Sequence, residues 1–237
     1  EKGVPLTATA NDGWQPIHAA AEGGKLETVQ WLHEKGVPLT ATDNDGRQPI
    51  HYAAEGGKLE TVQWLHEKGV PLTATDNDGW QPIHYAARWG KLETVQWLHE
   101  KGVPLTATAN DGWQPIHAAA LGGEVETVQW LHEKGVPLTA TANDGGQPIH
   151  AAAKFGKLET VQWLHEKGVP LTATDNDGRQ PIHYAAKFGE LETVQWLHEK
   201  GVPLTATDND GRQPIHYAAR WGKLETVQWL HEKGVPL

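Results

Sequence analysis

The residues best equipped for chemistry are fourteen histidines, which fall at two fixed places. One series runs from His18 to His216 and the other from His33 to His231, each at intervals of 33 residues. Imidazoles can ligate a metal or carry a proton near neutral pH. Both uses need unlike groups converging on one point, and here the same two histidines simply recur. There is no cysteine and no H-E-x-x-H spacing, and neither a Gly-rich phosphate loop nor a nucleophile elbow occurs. The pattern therefore reads as neither an enzyme nor a metal or cofactor protein.

The spacing of the histidines is the spacing of the whole chain. Thr-Val-Gln-Trp-Leu-His-Glu-Lys-Gly-Val-Pro-Leu recurs from Thr28 to Thr226 every 33 residues. The chain reads as one array over 1–237: a partial repeat at 1–9, full repeats at 10–42, 43–75, 76–108, 109–141, 142–174 and 175–207, and a truncated repeat at 208–237. Within a repeat, Asn44-Asp45-Gly46 is a turn signal. Pro49 suits a first helical turn, so a short helix is expected through Ile50, Ala53 and Ala54, broken at Gly56-Gly57. A second helix is expected from about Leu59 to Lys68, stopped by Gly69 and Pro71. Helices of about ten residues are marginal alone, so each repeat must lean on its neighbours.

A 33-residue unit reading G-x-x-P-I-H-x-A-A-x-x-G-x-x-E-x-V-x-x-L resembles the ankyrin repeat, whose T-P-L-H motif appears as Gln48-Pro49-Ile50-His51. The resemblance covers all seven registers. It implies an all-α solenoid of stacked helix-loop-helix units with projecting β-turns, whose turn tips and first helices form a concave binding face. It also implies that the first histidine series ties neighbouring turns together by hydrogen bonds. Gln replaces Thr before the proline, so the family's Thr–His hydrogen bond does not carry over to Gln15 and its equivalents.

The seven copies differ at only seven of 33 places, the first, fifth, tenth, thirteenth, fourteenth, sixteenth and seventeenth. Random scatter would confine all seven to the first 17 places only about once in 200 trials, so uniform drift does not account for them. The fifth place carries Trp14, Arg47, Trp80, Trp113, Gly146, Arg179 and Arg212. The thirteenth and fourteenth carry Glu22-Gly23, Glu55-Gly56, Arg88-Trp89, Leu121-Gly122, Lys154-Phe155, Lys187-Phe188 and Arg220-Trp221. Trp, Tyr and Arg dominate interface hot spots because they combine area with polar reach. The first and tenth places vary together: Asp43, Asp76, Asp175 and Asp208 accompany Tyr52, Tyr85, Tyr184 and Tyr217, whereas Ala10, Ala109 and Ala142 accompany alanine. This suits a hydroxyl–carboxylate pair, serving either recognition or packing. Glycines apart, the fifth-, tenth-tyrosine-, thirteenth- and fourteenth-place side chains are the candidate partner-binding residues. The invariant second-helix tryptophans, Trp31 to Trp229, are expected to pack between repeats.

The formal charge is −10, from 30 acidic against 20 basic residues, which disfavours nucleic acid as a partner. No apolar run approaches a membrane span and no cleavable signal opens the chain. The reading is a soluble chain compatible with a reducing cytoplasm, its compartment otherwise open. Counting the first, fifth and thirteenth places, repeats one to four balance at −2 and repeats five to seven at +3. The expected function is a non-enzymatic scaffold that binds a protein or extended peptide through its concave face, with an acidic part of the ligand over the later repeats. Near-identical units and a start within a repeat point to an engineered array. The alternative is a structural or self-assembling consensus array, whose uncapped ends would associate end to end.

Overall fold

The computed structural model describes residues 6–236, so most of the partial repeat at 1–9, and Leu237, lie outside it. Fourteen α-helices and no strands occur among the described residues. The chain divides between Pro115 and Ile116 into two compact units. The first holds α1 (Pro16–Glu22), α2 (Leu26–Glu34), α3 (Pro49–Glu55), α4 (Leu59–Glu67), α5 (Pro82–Arg88) and α6 (Leu92–Glu100). Helix α7 (Pro115–Gly122) opens at the division. The second unit continues with α8 (Val125–Glu133), α9 (Pro148–Lys154), α10 (Leu158–Glu166), α11 (Pro181–Phe188), α12 (Leu191–Glu199), α13 (Pro214–Arg220) and α14 (Leu224–Glu232).

Each first helix starts at proline, where the missing N–H costs no helical hydrogen bond. Each second helix ends on a Schellman motif. In α4, Gly69 at φ 87° donates its N–H to His66 O at 2.9 Å, and Val70 donates to Leu65 O at 3.0 Å. Val62 and Leu65, three residues apart, bury completely, as does Ile50 on the first helix. Burying such side chains contributes roughly 1.5–3 kcal/mol each. First helices stack on first helices, α1 on α3 on α5 in one unit and α9 on α11 on α13 in the other, and each also packs on its own second helix. The hydrophobic core is thus shared between successive repeats, as short helices require.

The second-helix tryptophans pack between repeats as expected. His33 meets Trp64 edge-on at 5.9 Å, and His165 meets Trp196 in the same way at 5.9 Å. They are half-buried rather than core residues, and Trp31, which has no such histidine before it among the described residues, is 47% exposed. A lysine four residues on lies over each ring, as Lys68 Nζ does over Trp64 at 5.6 Å.

Candidate functional site

Two backbone ladders hold the turns in register. Asn44 donates its N–H to Asp12 O at 2.9 Å and its side-chain amide to Asn11 O at 3.1 Å, one repeat back. The bonds recur from Asn77 to Asp45 and Asn44, and from Asn209 to Asp177 and Asn176. Below the turns, the first-helix histidines His18, His51, His84, His150 and His183 each use both ring nitrogens. His51 Nδ1 accepts the Gln48 N–H at 2.8 Å while Nε2 donates to Ala74 O, just before the turn of the next repeat, at 2.9 Å. That arrangement fixes the neutral tautomer and leaves the ring no lone pair for a metal. Burial pushes His18, His51, His84, His150 and His183 below the usual imidazole range. The glutamine before the proline reaches the histidine through its backbone N–H, as Gln48 does to His51.

The paired first and tenth places form the hydroxyl–carboxylate bond. Tyr52 donates to Asp43 Oδ2 at 2.5 Å and Tyr184 to Asp175 Oδ2 at 2.6 Å; Tyr85 bonds Asp76 and Tyr217 bonds Asp208 likewise. Burial, then the carboxylate, pushes the Tyr52, Tyr85 and Tyr184 phenols far above their ordinary value. Tyr52, Tyr85 and Tyr217 are each only 8% exposed, as is Leu121. These four offer a partner little surface. Tyr184 is half-buried in the same pairing.

The fifth-place side chains lie partly against their neighbours. Trp80 stacks on Trp113, with ring centroids 6.4 Å apart, and Trp14 tilts over Tyr52 at 6.0 Å. All three indoles are half-buried. The Arg47 guanidinium carbon lies 4.0 Å from the Tyr52 ring centroid and 4.4 Å from that of Tyr85, and its guanidinium pairs with Glu55. Arg179 pairs with Asp177 at 2.6 Å and donates to Tyr217 Oη at 3.1 Å; Arg212 bonds Asp208 at 3.1 Å and also pairs with Asp210. The later-repeat arginines are therefore engaged by their own turns, which weakens their part in the expected charge contrast.

The thirteenth and fourteenth places behave differently. Trp89, Phe155 and Trp221 are 48%, 40% and 54% exposed, three of the five large exposed hydrophobic residues among the described residues. Each directly follows a cation at the thirteenth place: Arg88 lies 5.8 Å from the Trp89 ring centroid and Lys154 5.1 Å from that of Phe155. Phe188 is half-buried, and Glu22 and Arg220 are exposed. Sequence reasoning missed the asparagine ladder, since Asn-Asp-Gly was read only as a turn former; its signal was an asparagine at the second place of every repeat.

No helix among the described residues is long and apolar enough to cross a membrane. A family model described as "Ankyrin repeats (many copies)" matches residues 17–58, 50–99, 83–132 and 122–156, and one described as "Ankyrin repeats (3 copies)" matches 149–236. No curated protein sequence matches the chain. Among solved structures, the human ASB11 ankyrin repeat domain is similar with a TM-score of 0.69 at 24% identity, over 94% of this chain and 100% of that one. That likeness concerns the fold; the family models, continuous over 17–236, carry the assignment, and ankyrin repeats generally mediate protein–protein interaction. The chain belongs to the ankyrin repeat family.

Proposed function

We propose that this chain is a non-enzymatic scaffold that binds a protein or extended peptide on the face formed by the ends of its first helices and its turns. One observation carries the reading. In repeats otherwise almost identical, the variable fourteenth place leaves Trp89, Phe155 and Trp221 exposed, each beside a cation. Large aromatics flanked by charge, on a scaffold already rigid, give affinity without a large ordering cost. The near-identity of the repeats supports an engineered, consensus-type origin; a natural genome encoding this same array would contradict it. The test of function is selection of binders from an unbiased display library of peptides and small domains on the immobilised chain. Binders that compete with one another and are lost with Trp89→Ala or Trp221→Ala support the reading. Binders indifferent to both substitutions, or none at all, overturn it.

The self-assembling alternative has an observation of its own. Leu224 is 67% exposed and Ala219 exposed, whereas Leu191 is half-buried and Ala186 buried one repeat earlier.

A further inference from the structure

Repeats five to seven bring six side chains into a row along the ends of α9, α11 and α13. Lys154 Nζ lies 5.1 Å from the Phe155 ring centroid and 5.2 Å from that of Phe188. Lys187 Nζ lies 5.4 Å from Phe188 and 5.0 Å from Trp221. Each lysine is therefore held by an aromatic of its own repeat and one of the next, and Arg220 adds a third cation. Among the described residues none of these three cations forms an ion pair, unlike Arg179 and Arg212. Burial, then the charges of Lys154, Arg179 and Arg220, lower the Lys187 ammonium from its ordinary value. The positive charge here is crowded and uncompensated, on a chain that carries −10 overall.

From this row we infer that the second unit recognises an acidic segment in polyproline II conformation, with one carboxylate at every third residue. The inference rests on the binding function proposed above and names its ligand class. Side-by-side helices lie about 8–10 Å apart, so the row presents roughly one cation per such interval. A polyproline II chain has three residues per turn at about 3.1 Å each, which places residues i, i+3 and i+6 on one face at intervals of about 9.3 Å. A regular strand alternates faces and would turn every second such carboxylate away. Prolines between the acids stack on aromatic faces, and the preformed helix loses little entropy on binding. The ammonium groups supply point charges to the carboxylates, while Phe155, Phe188 and Trp221 supply the apolar floor.

The experiment measures binding of three labelled probes to the whole chain at low and moderate salt. One is a capped peptide of three Glu-Pro-Ala units; the second has the same residues with the glutamates contiguous; the third is an oligothymidylate of matched charge. The spaced peptide is expected to bind at least about fivefold more tightly than the contiguous one. Its binding should weaken with salt, and K154Q and K187Q should each weaken it while K167Q, just after the second helix α10, leaves it unchanged. Equal binding of the two peptides, indifference to both lysine variants, or tighter binding of the oligonucleotide overturns the inference. Library-selected binders that are neutral or basic, and that survive K187Q but not Trp89→Ala, would also overturn it while leaving the proposed function standing.

Discussion

Tyr52 and Asp43 share one hydrogen bond of 2.5 Å, while the other oxygen of the Asp43 carboxylate accepts the backbone N–H groups of Asp45 and Arg47 at 3.0 and 2.8 Å. One carboxylate thereby ties the first helix to its turn. In repeats that carry alanine at both places only the bond within the turn is replaced, two residues along: Asp12 accepts the Trp14 N–H at 3.0 Å, and Asp144 accepts the Gly146 N–H at 2.8 Å. The correlated Asp–Tyr and Ala–Ala choices are two closures of the same turn. Removing one partner strands the other, so a double-mutant cycle on D43A and Y52F should show a coupling of about 1–3 kcal/mol in urea unfolding. Additive effects would separate the pair.

The histidine ladder predicts the pH dependence of stability. Five rings titrate lower folded than their ordinary 6.5, so the unfolded chain binds more protons in the window below about 6.5. The stability they contribute is present above that value and is lost as pH falls towards their folded values. Melting temperature should be level from pH 8.5 to 7.5 and decline between 6.5 and 5. A rise over that interval would contradict the assignment of neutral, doubly bonded rings.

Two glycines in left-handed backbone should differ sharply in cost. A Cβ on Gly46, at φ 80°, would lie 2.4 Å from Asn77 Oδ1 and 2.9 Å from Asn77 N, within the turn ladder. Gly69, at φ 87°, has nothing within 4 Å. G69A should cost about 1 kcal/mol, from backbone strain alone, and G46A about 2 kcal/mol or more, because the ladder must also shift. Urea titration of the two variants reads the difference directly.

For the 237-residue chain, the exposed face around Leu224 predicts concentration-dependent association. Sedimentation velocity should show a rising weight-average mass for the parent and a smaller rise for L224E. A strictly monomeric parent at high concentration would remove the self-assembling alternative.

Helix placement was legible because proline, paired glycines and the Val62–Leu65 spacing each carry a local physical meaning that packing does not overrule. The bond between first and tenth places was legible from correlated variation between Asp43 and Tyr52. What it does was not, since Tyr52 packs against Trp14 and His18 of the preceding repeat and under Arg47. Sequence also could not say that Arg179 and Arg212 are occupied by Asp177 and Asp210, a matter of side-chain reach around a turn. The exposure that separates Trp89 from Trp80 is likewise a property of helix ends and turns in three dimensions.

The central claim is that the exposed fourteenth-place aromatics form a binding surface and not a packing device. It is tested most directly by a triple variant, W89A with F155A and W221A, assayed together for melting temperature and for affinity towards library-selected binders. Exposed side chains contribute little to folding, so the melting temperature should stay within about 3 °C of the parent, while affinity falls at least about a hundredfold. A large loss of thermal stability with affinity retained would show that these aromatics hold the repeats together and that recognition lies elsewhere.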